Sequence, residues 1–352
     1  PGSRFRIEQW MPVMEKLGAS FDYAAFEDEE LHRVLYTRGN TVAKAAGMMR
    51  GFARRAQSLR SLRQYDAVFI YEEAARMGPA FIEWLIAKAG IPIIYDFCDP
   101  IYLHQPSPSN GLWSHLKFVG KTATICRAAS HVIVGNEELA QFARQHNSQV
   151  TIAPITIDTD EYRPRSWPPD DPSAIPTIGW TGSHSTVPHL DRLRGVLQRL
   201  AEKRKFRLKV IGTPNWSAPG VNVHPQAWKA ATEVADLEDI DIGVMPLPDD
   251  PWIKRRTQLK VRQYMGLAIP AVVSPVGVNT ELIQDGENGF LPKTDDEWIE
   301  RLTLLIDTPA LRRKLGAAGR KTIEERYSAK IWGPRILDII RNAVESRRRR
   351  AA

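Results

Sequence analysis

Short apolar runs alternate with amphipathic stretches along the whole chain, the pattern of βα units feeding parallel sheets. In the first half, the runs at 21–26, 66–71, 91–97, 131–134 and 149–153 read as strands. Helical spacing of apolar positions fills 5–17, 42–62, 80–89, 112–127 and 137–145. The stretch 163–176 then carries Pro164, Pro168, Pro169, Pro172 and Pro176 with few apolar residues, and reads as a linker or a loop crossing between domains. Beyond it the pattern restarts, with strands at 177–181, 207–211, 240–245 and 271–274 and helices at 187–204, 258–267 and 295–306. The tail 309–347 is strongly helical, with Gly316 and Gly319 as expected interruptions.

This division predicts an α/β protein of two Rossmann-like domains, 1–165 and 166–330, followed by a C-terminal helix and basic tail at 331–352. Because the first residues already read as a loop entering a helix, a strand ahead of Pro1 is expected, with the glycine loop that would follow it. Open parallel sheets bind ligands outside the carboxyl ends of their strands. With two such sheets facing one another, the cleft between domains is the expected site.

Composition narrows the setting. Hydrophobic residues make up 43% and charged residues 25%, the balance of a soluble globular protein. No apolar run has the length of a membrane span, and no signal peptide is visible. Cys98 and Cys126 form no disulfide framework and lack metal-ligand spacing, so a reducing cytoplasm is the expected compartment. The net charge of +7 favours an anionic partner, either a nucleoside diphosphate or an anionic membrane face, which adds the inner face of the membrane as a location. Much of the excess lies at Arg347 to Arg350 and along 50–63, where a solvated basic face is the plainer alternative. No zinc finger or aromatic RNA-binding signature accompanies the charge, so no nucleic-acid partner is expected.

Three segments of the second half hold candidate chemistry. In IGWTGSHSTVP at 178–188 a strand enters a loop with Gly179 and Gly182, and a helix follows with Pro188 in its first turn. Glycine admits a close ligand and Ser183, Ser185 and Thr186 add donors, so the loop is either a diphosphate cradle or an ordinary capped turn. In RRTQLKVRQYM at 255–265, Val261, Tyr264, Met265 and Ala268 share a core face. Arg256, Lys260, Gln263 and Leu267 share another, which is either an anion site or a solvated stripe. In IPAVVSPVGVNTEL at 269–282, Gly277 permits close backbone approach. The N–H groups of Val278 and Asn279 lie near a helix start, and Glu281 falls in its first turn.

DIGVMPLP at 241–248, KVRQYM at 260–265, SPVGVN at 274–279 and DGENGFL at 285–291 follow one another in order. Together they resemble the donor domain of family 4, or group 1, glycosyltransferases. GWTGS at 179–183 and Gly212 resemble the earlier loops of that domain, and SRFRI at 3–7, YDFCDP at 95–100 and VGNEE at 134–138 resemble the acceptor half. The resemblance implies the GT-B fold, a nucleotide-sugar donor held by the C-terminal domain, a C-terminal helix crossing back to the first domain (327–343 here), no metal, no cofactor, and retention of anomeric configuration.

It also assigns residues. The family's two glutamates, separated by seven residues and touching donor hexose and ribose, align with Arg255 and Gln263, neither a carboxylate. Gln263 keeps the capacity to bond a ribose hydroxyl. Arg255 does not copy an acceptor, though Asp249 or Asp250 lies close in sequence. The phosphate clamp is altered too, with His184 in the loop where relatives carry Arg or Lys, so charge neutralisation falls to Lys260 and Arg256. In the first domain Asp96 and Asp99 stand where relatives often have a histidine, Asp99 being the catalytic candidate or the pair merely capping a turn. Arg4 and Arg6 face the diphosphate, an anionic acceptor, or solvent. Trp228 stacks on the base or is a buried aromatic.

The expected activity is transfer of a sugar from a nucleotide sugar to a hydroxyl of a glycan, lipid-linked or small-molecule acceptor, with no protein nucleophile. The alternatives are a nucleotide or glycan binder that partners an active transferase, and an epimerase or phosphorylase on the same scaffold.

Overall fold

The structure, a computed structural model, describes residues 2–35, 39–103, 118, 120–167 and 174–351. It forms two compact units, Pro1–Pro154 with Gly333–Ala352, and Ile155–Trp332.

The first unit holds β1 (Val68–Tyr71), β2 (Ile93–Phe97), β3 (His131–Val134) and β4 (Val150–Ile152), all parallel and in the order β1-β2-β3-β4. Its helices are α1 (Ile7–Glu15), α2 (Glu29–Leu35), α3 (Thr41–Arg60), α4 (Phe81–Lys88), α5 (Lys121–Ala128) and α6 (Glu137–Arg144). Every residue of β2 is buried, as expected of a central parallel strand covered on both faces. Ile93, Tyr95, Phe97, Ile125, Val132 and Leu139 form the heart of this core.

The strand expected at 21–26 is absent; the segment is irregular. Guanidinium groups take the place of a ladder partner: the Phe26 carbonyl accepts from Arg54 and the Ala24 carbonyl from Arg55. Of the helix expected at 112–127, residues 112–117 and 119 lie outside the described residues, and α5 occupies its end.

The second unit carries β5 (Thr177–Thr181), β6 (Arg207–Ile211), β7 (Val223–Gln226), β8 (Ile242–Met245) and β9 (Ala271–Val273), all parallel and in the order β7-β6-β5-β8-β9. Around them lie α7 (Val187–Asp191), α8 (Arg194–Ala201), α9 (Glu233–Glu238), α10 (Pro251–Lys254), α11 (Leu259–Gly266), α12 (Asn279–Leu282), α13 (Asp295–Asp307), α14 (Pro309–Thr322) and α15 (Ala329–Ala351). β7 was not foreseen: it is a half-exposed edge strand containing Pro225, which an edge tolerates because one side of its backbone needs no partner.

Of the proline-rich stretch, residues 168–173 lie outside the described residues, and Arg165 is tied to the second unit. Arg165 N–H donates to the Leu267 carbonyl at 2.9 Å, and its side chain pairs with Asp241 at 3.0 Å. The unit edges fall at 154/155 and 332/333, against 165/166 and 330/331 in the sequence reading.

α14 runs uninterrupted through Gly316 and Gly319. Both glycines serve packing, since a Cβ on Gly316 would lie 2.0 Å from the Ala268 carbonyl oxygen, and one on Gly319 would press on Met265. The helix ends instead in a π turn at Ile323–Tyr327, after which extended Ser328 bridges to Ile157. The next helix, α15, begins in the second unit, and its residues from Gly333 onward belong to the first.

Candidate functional site

The strand order of the second unit locates its binding crevice. β5, β6 and β7 are laid outward in one direction, then β8 returns to the other side of β5 and β9 continues from it. The loops after β5 and β8 therefore leave the sheet on diverging paths, and the gap outside their carboxyl ends is the switch point at which open α/β sheets bind ligands.

Lys260, in the first turn of α11, reaches across that gap from the β8 side to the β5 side. Its Nζ lies 3.4 Å from Thr186 Oγ1 and 4.6 Å from the centroid of the Trp180 ring. Thr186 is fixed by its own turn, accepting the Ser183 N–H at 2.9 Å and donating to the Ser183 carbonyl at 3.0 Å. Trp180 is buried and forms the floor.

Burial, and then the neighbouring Arg256 charge, push the Lys260 ammonium down to about 7. His189 is likewise lowered, by burial and then by Lys260, Arg256 and Arg192. Lys260 and His189 are held among basic neighbours, an arrangement that is unfavourable until an anion joins it. This spot is built for negative charge.

The glycines of the same region mostly serve the frame. Gly179 leaves room for Ile240, whose side chain would lie 2.3 Å from an added Cβ, so it is a packing position inside β5 and not a ligand contact. Gly182 makes space for the Trp180 ring and Thr186, and Gly212, at φ +101°, brings its Cα face against the Gly182 carbonyl, 1.7 Å from where a Cβ would sit. Gly277, at φ +58°, packs on the Lys254 carbonyl, 2.8 Å from where a Cβ would sit, and so sets the loop after β9 against the end of α10. Ser183 is exposed, its Oγ 2.9 Å from Ser185 Oγ. Val278 and Asn279 are buried, the Asn279 amide donating to the Ser274 carbonyl at 3.0 Å, while Glu281 is exposed.

Gln263 departs from its expected place. It is buried and donates to the Tyr162 hydroxyl at 2.9 Å, which in turn donates to Glu233 at 3.3 Å. Arg255 donates to the Pro251 carbonyl at 2.8 Å. Asp249 pairs with Lys254 at 2.6 Å, and Asp250 caps α10. Trp228 is exposed, not buried, and its indole N–H donates to Glu233 at 3.2 Å. The backbone of His184 opens the short turn after Ser183; its side chain lies outside the described residues.

In the first unit, Arg6 faces neither ligand nor solvent. It is fully buried, its Nε donating to Asp96 at 2.9 Å and another nitrogen to the Ala153 carbonyl, with the guanidinium over the Trp10 ring. Asp96 is spent on that pair. Arg4 is half-buried beside the Phe5 ring.

Asp99 does lie at the carboxyl end of β2, half-buried, close enough to Glu72 at the end of β1 that its charge raises the Glu72 carboxyl. Burial is the larger cause of that rise, and Arg76 opposes it from 3.6 Å. Glu72 also holds φ at +58°, a costly conformation for a residue with a Cβ. No spacing or composition signal marks Glu72 in the sequence, because its proximity to Asp99 arises only from the β1–β2 register. Among the described residues, no three His, Cys, Asp or Glu side chains gather as metal ligands.

Residues 175–308 match the family model described as glycosyl transferases group 1. The second unit carries a group 1 glycosyltransferase domain. Sucrose-phosphate synthase from Thermosynechococcus elongatus is similar in structure over 98% of this chain and 94% of its own, with 13% identity and a TM-score of 0.64. A glycosyltransferase from Rickettsia africae aligns over 82% of this chain and 80% of its own, with 13% identity and a TM-score of 0.58. HepE from Anabaena, solved with UDP and glucose, aligns over 82% of each chain, with 16% identity and a TM-score of 0.55. These likenesses assign the two parallel-sheet units to the GT-B fold. No curated protein matches the chain.

Proposed function

We propose that this protein transfers a sugar from a nucleoside diphosphate sugar to a hydroxyl acceptor, with retention of configuration and without a bound metal. The observation that carries the reading is Lys260 beside Thr186 at the β5/β8 switch point, with Arg256 close enough to lower Lys260 and both close enough to lower His189. A diphosphate there restores the full charge of Lys260, because a nearby anion favours the protonated ammonium. As the glycosidic bond breaks, negative charge grows on the leaving diphosphate, and a fixed ammonium and guanidinium stabilise it without solvent reorganisation. The family domain and the UDP and glucose of the Anabaena neighbour support this donor class.

Asp99 is the proposed acceptor-side carboxylate, accepting a hydrogen bond from the incoming hydroxyl. No protein nucleophile is assigned, in keeping with attack from the face the leaving group departs. The acceptor is a glycan, a lipid-linked sugar or a small molecule. Two free cysteines favour a reducing cytoplasm as the working compartment.

A second reading is favoured by one observation: both positions where relatives place glutamates are occupied by residues engaged internally, Gln263 with Tyr162 and Arg255 with Pro251. On that reading the chain binds a nucleotide sugar for a partner enzyme without turning it over. A donor panel assayed for nucleotide release, with Lys260→Met and Asp99→Asn as controls, separates the two. Tight donor binding with no release across a broad acceptor panel would establish the second.

A further inference from the structure

The first unit displays large apolar side chains on its outer helices. On α4, Phe81 is 59% exposed and Trp84 47%, their rings stacked at 5.8 Å, with Lys88 Nζ 4.6 Å from the Trp84 ring. Positions 81, 84 and 88 follow helical spacing and share one face. The opposite face is spent on the core, through Ile82, Ile86 and Glu83.

On α3 a second stripe faces solvent: Val42 is 82% exposed and Met49 74%, with Ala46, Ala53 and Ala56 between and beyond them and Arg60 ending the row. From Val42 to Ala56 the stripe runs about 21 Å. The two helices are tied at Ala74, whose N–H donates to Glu83 of α4 at 3.0 Å and whose carbonyl accepts from Arg55 of α3 at 2.5 Å. Scattered exposed apolar residues need no explanation, but stacked aromatics beside a second apolar row do.

Charge says what covers them. Arg50 and Arg54 are offset by Asp28 and Glu30, while Arg55 meets only carbonyls and keeps its charge, so the middle of α3 carries little net positive charge. Glu27 nearby is held by Arg76. Arg60 and Arg63 at the end of α3 and Lys88 on α4 are exposed and have no acidic partner among the described residues. The ion pair of Arg348 with Asp66 at 3.0 Å brings the basic end of α15 beside the residues that follow α3. Aromatic rings and apolar side chains edged by cations match a surface that is apolar beneath and anionic above.

We propose that the first unit docks reversibly on an anionic lipid surface through Phe81 and Trp84, with the α3 stripe and its basic end as the flank. This is peripheral binding: no helix among the described residues is long and apolar enough to cross a membrane.

The test is cosedimentation of the full chain with phosphatidylcholine vesicles, with and without phosphatidylglycerol. The expected result is binding that requires phosphatidylglycerol and weakens with salt. Phe81→Ser with Trp84→Ser is expected to reduce partitioning about tenfold or more, while Trp84→Phe keeps it. Arg60→Glu with Arg63→Glu is expected to remove the preference for anionic vesicles. Circular dichroism and nucleotide-sugar affinity report that each variant is folded. No vesicle binding, binding indifferent to the Phe81/Trp84 pair, or concentration-dependent self-association lost in that same variant would each overturn the proposal, the last assigning the face to a second copy of the chain.

Discussion

Replacing Lys260 by methionine is expected to stabilise the fold while removing donor binding. Enclosing the ammonium is costly: burial and then Arg256 take it from its ordinary 10.5 to about 7. At roughly 1.4 kcal/mol per pH unit the whole shift corresponds to a ceiling of about 5 kcal/mol. Lys260 is only half-buried, so solvent screening and the lost contacts with Trp180 and Thr186 reduce the net gain to about 2 kcal/mol. For a unit of this size that is a rise of about 4–8 °C in Tm.

The pH dependence has a definite sign. The folded state holds the Lys260 proton less tightly than the unfolded state, so charged Lys260 opposes folding. The penalty is full below about pH 7, falls as pH rises, and is gone above 10.5. The stability advantage of Lys260→Met is therefore largest near and below pH 7 and vanishes in strong alkali. Thermal unfolding of both proteins from pH 6 to 10, alongside donor titrations, measures both halves. Destabilisation by Lys260→Met at pH 7 would contradict a costly buried ammonium, and unchanged donor affinity would contradict its role in holding the donor.

Other consequences follow from the same geometry. Donor binding near pH 8 is expected to take up protons as Lys260 recovers its charge, seen by calorimetry as a binding enthalpy that depends on the buffer's ionisation heat; an enthalpy independent of buffer would contradict this. Arg6→Ala strands Asp96 in the core and is expected to cost about 3–5 kcal/mol in denaturant unfolding, whereas a surface-facing Arg6 would cost almost nothing. Gly212→Ala forces a Cβ onto the Gly182 carbonyl at a positive φ, with an expected loss of about 2–4 kcal/mol and of donor affinity together. Asp99→Asn is expected to lower turnover about a hundredfold with donor affinity unchanged, read from steady-state kinetics and equilibrium titration.

The regular elements of both sheets were legible because central parallel strands are unbroken apolar runs. β3, β5 and β6 fall at the expected residues, and β8 within two. What escaped lacks that signature. β7 is a short edge strand with Pro225 and His224, polar enough to resemble a loop. At 21–26 the apolar pattern is present, but the backbone is satisfied by Arg54 and Arg55 instead of a neighbouring strand, which no local pattern encodes. Gly316 and Gly319 resemble helix breakers until the carbonyl of Ala268 and the side chain of Met265 are seen against them.

The site was legible by residue type more than by partner. Lys260 and Arg256 were visible as cations on one helical face, while the approach of Lys260 to Thr186 and of both cations to His189 depends on the order of β5 and β8. Arg6 and Gln263 show the limit of reading polarity as exposure. Each is buried with a partner far along the chain, Asp96 and Tyr162, and only the fold brings those pairs together. Glu72 was missed for the same reason, its closeness to Asp99 resting on strand register.

The most direct test of the donor site is isothermal titration of a panel of nucleoside diphosphate sugars into the protein and into Lys260→Met, paired with an assay of nucleotide release in the presence of mixed hydroxyl acceptors. At least one donor is expected to bind and to be consumed with release of its nucleoside diphosphate, and both effects are expected to be lost in Lys260→Met. Failure of every donor to bind, or binding and release that survive in Lys260→Met, would contradict this expectation.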